Sequence, residues 1–215
     1  MSSSNNKPKA QKTIFKDAMV LFLITLVAGF ALGIVYEITQ PVIEQRALEH
    51  KKEAYQAVFT EAEVFANDKE LDSKAETAAE DLFGPKGLDN ITLNEVLLAQ
   101  DSSGNTLGHV VSISTEEGFG GTITISLGYS LDGIVQGLEF LVLNETVGYG
   151  QNAANPEFIE QFIGKQTTEF VSTKSGVSSE NEIDALSGAT ITTNAVTDVI
   201  NAGLLFLNEE ALVSD

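Results

Sequence analysis

The spacing of apolar and polar positions changes several times along the chain, and each change predicts an element. From Ala18 to Tyr36 about 19 consecutive residues carry no charge, which at 1.5 Å per residue reaches roughly 28 Å, the thickness of a bilayer core. This predicts a transmembrane helix over 17–38. The sequence Glu37-Ile-Thr-Gln-Pro41 is expected to break the span, and Val42 to about Phe65 then reads as an amphipathic helix, with Ile43, Ala47, Ala54, Ala57, Val58 and Phe59 set among polar residues. Residues 66–90 are acidic and end at Gly84-Pro85, which predicts a short helix and a loop. From Asn94 the period falls to two. Stretches 95–100, 107–114, 122–129 and 134–143 are separated by turns at Asp101–Asn105, where Gly and Asn would supply positive φ, at Glu117–Gly121 and at Asp132-Gly133. Four strands with short turns make an antiparallel meander. A short helix is expected at Pro156–Ile163, and apolar residues at Val196, Val199, Ile200, Gly203, Leu204 and Leu207 predict a long closing helix.

The fold class is therefore α+β: a twisted antiparallel sheet covered on one face by helices, behind a single N-terminal membrane helix. The expected organisation is a basic tail at 1–16, largely disordered, the membrane helix at 17–38, a juxtamembrane helical region at 39–92 and the main domain at 93–215.

Charge places these parts. Lys7, Lys9, Lys12 and Lys16 precede the span, and because lysines close to a span stay on the cytoplasmic side, the N-terminus is expected in the cytoplasm and the rest outside it. The whole chain carries 12 Lys plus Arg against 31 Asp plus Glu. From Glu37 onward this becomes 8 against 30, a net charge of −22, so the domain repels anions and nucleic acid is excluded as a partner. No cysteine is present, which excludes disulfides, thiolate iron–sulfur ligation and cysteine nucleophiles. His50 and His109 form no ligand-spaced cluster, so no metal site is expected. Gly29 and Gly33 have the small-xxx-small spacing that lets a second membrane helix approach.

Chemistry concentrates in Asp184-Ala-Leu-Ser-Gly-Ala-Thr-Ile-Thr-Thr193. Ser187, Thr190, Thr192 and Thr193 crowd the start of the closing helix, and Gly188 and Ala189 would let a ligand approach the backbone. A helix start offers N–H groups without intrahelical partners and the positive end of the dipole, which suits a phosphate. Ordinary capping of the helix by Ser or Thr accounts for the same residues, and the residue pattern alone leaves both open.

The segment Asp184-Ala-Leu-Ser-Gly-Ala-Thr190 resembles the Asp-x-x-(Ser/Thr)-Gly-Ala-Thr motif of the FMN-binding domain family found in the RnfG subunit of Rnf complexes and the NqrC subunit of sodium-pumping NADH:quinone reductase. Gly118-Phe-Gly-Gly121 is similar to the family's Gly-Tyr-Gly-Gly turn. Asn144-Glu-Thr-Val-Gly-Tyr-Gly150 is similar to its Glu-Thr-Pro-Gly-Leu-Gly loop, with Val147 where the family has proline, and Tyr36-Glu-Ile-Thr-Gln-Pro41 resembles RnfG on leaving the membrane. The resemblance implies FMN joined covalently through its phosphate to Thr190, a phosphothreonine-type linkage made by a separate flavin transferase. It also implies a pocket formed by Glu145, Thr146, Gly148, Ser187, Gly188, Ala189, Thr192 and Thr193, with Lys174 as the basic candidate; Lys165 is a second one.

The function so implied is an electron-transfer subunit of a membrane-bound, ion-translocating ferredoxin:NAD oxidoreductase of Rnf type, with other membrane and redox subunits as partners. Alone it would catalyse no turnover, since the cofactor carries the chemistry. The alternatives are an NqrC-type subunit of a quinone reductase and, from another class, a membrane-tethered non-redox binding domain.

Overall fold

In the computed structural model, which describes residues 7–211, the chain forms two units, one up to Glu49 and one from His50 onward. The first six residues of the expected disordered tail lie outside the described residues. Helix α1 (Lys7–Val58) begins at Lys7 and spans both sides of the unit boundary. Among the described residues it is the one helix long and apolar enough, by length and composition, to cross a membrane. Two of its hydroxyls bond back to the helix: Thr25 donates to the Leu21 and Phe22 carbonyls and Thr39 to those of Val35 and Tyr36. The break expected at Pro41 does not occur, for the helix runs through it. A proline removes one i→i−4 bond, and a ladder continuing for many residues on either side tolerates that loss.

From His50 on, the architecture is the α+β class expected from the sequence. Strands β1 (Val64–Asn67), β2 (Ile91–Gln100), β3 (Thr106–Thr115), β4 (Ile123–Ser130) and β5 (Val135–Leu143) form one antiparallel sheet in chain order. Strand β1 is an addition to the predicted meander. The helix expected to reach Phe65 stops at Val58, and Val64 to Asn67 pair with Gln100 to Leu97. Helix α2 (Lys69–Ala78) follows, capped by Asp68, whose carboxylate accepts from the Glu70 and Leu71 N–H groups. In the β2–β3 turn only Gly104 takes a positive φ; Asn105 does not, and instead binds the Asp101 carboxylate with its backbone and side-chain N–H groups. Helix α3 (Pro156–Ile159), a two-stranded parallel pair of β6 (Val171–Thr173) and β7 (Glu182–Asp184), and helix α4 (Thr190–Phe206) complete the chain.

The sheet is covered on both faces, one more than expected. On one face α4 and α2 bury Val111, Ile113, Ile123, Ile125, Leu127 and Leu138 together with Val196, Val199, Ile200 and Leu204. On the other, the last turns of α1 and the segment after it bury Tyr55, Val58, Phe59 and Ala62 against Leu97, Ala99 and Val110. Each fully buried large aliphatic side chain contributes about 1.5–3 kcal/mol relative to an exposed one. The second contact is close because two glycines face it: a Cβ on Gly128 would lie 2.2 Å from the Val58 carbonyl oxygen, and one on Gly137 2.5 Å from the Val58 Cα.

Since the obstructing atoms are backbone, they cannot rotate away. Gly128→Ala is therefore expected to lower stability by about 1–3 kcal/mol, read as a lower denaturation midpoint of the purified protein. An unchanged midpoint would show that the end of α1 is not seated against β4 and β5.

Candidate flavin site

Glu145 lies just past β5, buried to 9% exposure, and its carboxylate draws three separate segments together. Oε1 accepts from the Phe119 N–H at 2.8 Å and from the Thr192 hydroxyl at 3.0 Å, and Oε2 accepts from the Gly120 N–H at 3.2 Å. The β3–β4 turn, the loop after β5 and the first turn of α4 thus meet at one acceptor. Glycine is required around it. A Cβ on Gly150 would come within 2.6 Å of both Glu145 Oε2 and Thr192 Oγ1, and one on Gly120 within 2.3 Å of the Asn144 carbonyl oxygen.

Helix α4 starts without a side-chain cap. Ala189 occupies the cap position, and none of the neighbouring hydroxyls bonds to the first turn in the manner of a cap. Thr192 is turned to Glu145, while Thr193 is buried, donates to the Ala189 carbonyl at 2.9 Å and accepts from the Leu186 N–H at 3.1 Å. The N–H groups of Thr190, Ile191 and Thr192 consequently have no intramolecular acceptor among the described residues. An uncapped first turn beside an open cavity presents partial positive charge to an anion. The cavity holds about 450 Å³ and is lined by Phe119, Glu145, Thr146, Tyr149, Gly150 and Gly188 through Thr192. Gly188 has a φ of +75°, and a Cβ there would lie 3.2 Å from the Tyr149 ring, so both its backbone conformation and its neighbour favour glycine.

Of the residues singled out in the sequence, Thr190, Glu145, Thr146, Gly188, Ala189 and Thr192 are brought together on this cavity. Ser187 lines a different hollow with Asp184 and Asn155, Thr193 points into the core, and Gly148 shapes the adjoining turn. Lys174 is exposed just beyond β6 and does not line the cavity; neither does Lys165. The sequence reading did not name Phe119, Tyr149, Gly150 and Ile191 as wall residues. Phe119, Tyr149 and Gly150 sit inside its glycine-rich motifs, and Ile191 is an apolar residue off the buried stripe of α4, both usable signals.

The turn at Thr146-Val-Gly-Tyr149 closes with the Tyr149 N–H on the Thr146 carbonyl at 3.2 Å, and Gly148, third in the turn, has a φ of +80°. This is the geometry of a type II turn, whose second position favours proline. The Val147 N–H makes no hydrogen bond among the described residues, so a proline there would forfeit none. Val147→Pro is expected to raise stability by about 0.4–1 kcal/mol by restricting the unfolded chain, seen as a melting temperature higher by roughly 1–4 °C. A fall would contradict the assigned turn.

The chain matches two protein families in succession: the RnfG N-terminal region over residues 1–58 and the FMN-binding domain over residues 118–205. It is 29% identical over 195 residues to the G subunit of the Na(+)-translocating ferredoxin:NAD(+) oxidoreductase complex of Acetobacterium woodii, covering 90% of this chain and 91% of that one. To the G subunit of the ion-translocating oxidoreductase complex of Methanosarcina acetivorans it is 28% identical over 202 residues, covering 93% and 97%. In structure it is similar to Shewanella oneidensis NqrC at 18% identity, with 74% of each chain covered and a TM-score of 0.47. The first family match takes in helix α1 and the second all three segments that converge on Glu145, so the chain is similar to RnfG subunits along most of its length and its C-terminal part matches an FMN-binding domain.

Proposed function

We propose that this protein is the flavin-carrying electron-transfer subunit of a membrane-bound, ion-translocating oxidoreductase complex of Rnf type, with FMN attached through its phosphate to Thr190. The observation that carries this is the uncapped start of α4 opening on a cavity of suitable chemistry. Thr190 sits in the first turn and lines the cavity, and its hydroxyl makes no hydrogen bond among the described residues. At the same end are the unpaired N–H groups of the first turn; Phe119, Tyr149 and Ile191 add to the wall an apolar surface of the kind that accepts a planar ring.

Bound FMN supplies one- and two-electron transfer; the chain supplies the tether, the orientation and the local electrostatics. With Lys174 and Lys165 away from the cavity, the phosphate charge is met by backbone N–H groups and the helix dipole. The chain from Glu37 on, with a net charge of −22, repels a free anion, whereas a covalent link makes retention independent of that repulsion. Glu145 is engaged by three donors and so orients the walls. The linkage requires a flavin transferase as a maturation partner, and the names of the relatives support further complex subunits as working partners.

Replacing Thr190 with Val keeps the shape and removes the oxygen. The expected outcome is loss of the yellow, ultraviolet-excited band that otherwise stays with the polypeptide through denaturing electrophoresis. A band of undiminished intensity in Thr190→Val would place the linkage elsewhere.

The same proposal extends to topology, with residues 1–16 cytoplasmic, 17–38 in the membrane, and 39–92 and the domain at 93–215 on the extracytoplasmic side, supported by the four lysines before the span. An impermeant amine reagent applied to cells with an intact inner membrane should label Lys165 and Lys174. Their protection until that membrane is broken would reverse the orientation.

A further inference from the structure

Among the described residues from His50 onward, the four large apolar side chains that are more than half exposed are Val147 at 77%, Phe119 at 69%, Tyr149 at 57% and Ile191 at 53%; the last three line one cavity, and Val147 is in the turn that ends at Tyr149. Scattered exposed apolar residues are ordinary on any surface. Here three segments distant in sequence, the β3–β4 turn, the loop after β5 and the first turn of α4, bring theirs to the same place, which marks an interaction surface. The proposed cofactor accounts for part of it, because Phe119, Tyr149 and Ile191 line the cavity. Val147, the most exposed of the four, is not among the lining residues and stands at the tip of the turn beside them. A ring seated in the cavity leaves Val147 in water.

We propose that this uncharged collar is the docking face for a redox protein whose contact patch is apolar at its centre and basic at its edge. The proposal rests on the flavin assignment for the cavity and adds the chemistry of the partner. Charge selects that partner. The collar carries no ionised side chain, yet the unit around it, from His50 on, has 27 acidic against 7 basic residues, and the exposed Glu116 and Glu117 directly precede the Gly118-Phe119 wall. A second copy of this chain would bring a like net charge of −19 against the first, and an anionic lipid surface would be repelled in the same way. A basic-edged protein is attracted over a distance and then meets an apolar centre that neither partner must desolvate at the cost of a charge.

The test uses the full-length protein in membranes with the remaining subunits, comparing wild type with Val147→Glu, Val147→Lys and Val147→Leu. Flavin per polypeptide and the flavin absorption spectrum are read first and test the flavin assignment on their own. The rate of flavin reduction by the rest of the complex then tests the collar. Val147→Glu and Val147→Lys are expected to keep flavin content and spectrum while the rate falls about tenfold or more, since either charge is buried against an apolar patch. Val147→Leu should keep the wild-type rate, which separates docking from a folding defect. Raising the salt concentration should slow the wild type. Wild-type rates in both charged variants would overturn the proposal, as would loss of flavin on substitution at Val147, which would make the collar part of the cofactor wall. A salt-independent rate would remove the basic edge, and a dimer of the purified protein dispersed by Val147→Glu would make the occupant a second copy.

Discussion

A buried carboxylate with three donors is the constraint on which the site depends. Removing Glu145 would leave the Phe119 and Gly120 N–H groups and the Thr192 hydroxyl without their acceptor, and for the buried Thr192 hydroxyl alone that costs about 1–3 kcal/mol. The carboxylate is equally dependent on them, since an ionised group at 9% exposure needs hydrogen bonds in place of water. Its geometry explains the surrounding sequence. Gly120 and Gly150 stand where a Cβ would collide with the Glu145 segment. Because Thr192 is committed to Glu145 and Thr193 to the Ala189 carbonyl, the first turn of α4 is left uncapped and Thr190 remains available at the cavity.

Rigidity beneath the site comes from the two-sided sheet. The Glu145 loop leaves the end of β5, the Phe119 turn joins β3 to β4, and α4 lies across that sheet, with Gly203 so close that a Cβ would fall 2.4 Å from Ile113 Cδ1. The three segments meeting at the carboxylate are thus all anchored in one packed layer. A site built on such elements holds its walls within narrow limits, as orientation of a redox ring requires.

The meander was legible in the sequence because each strand has a period of two and each turn carries a glycine; Gly104 and Gly133 do take positive φ. Strand β1 was hidden, since four residues after a helical stretch carry too little periodicity to declare themselves and its existence depends on pairing with β2. The passage of α1 through Pro41 was hidden for the opposite reason: the local rule is strong, but a long hydrogen-bond ladder outweighs it. At the site, composition announced a hydroxyl-rich helix start without saying which hydroxyl faces where. Thr190, Thr192 and Thr193 are alike in sequence; the advance of about 100° per residue sends one to the cavity, one to Glu145 and one into the core. Lys174 was attractive only through sequence proximity to Thr190, and the parallel β6–β7 pair ends with Lys174 exposed away from the cavity.

The central claim is that, of the hydroxyls crowding the start of α4, the one presented to a flavin phosphate is that of Thr190. Its most direct test is mass spectrometry of the protein isolated from its native membrane, with proteolytic peptides fragmented to locate any added group. The account predicts an adduct of FMN less one water on the peptide containing Ser187-Gly-Ala-Thr190, with fragment ions placing it on Thr190. An unmodified peptide in flavin-replete cells, or the same mass on Ser187 or Thr192, would contradict it.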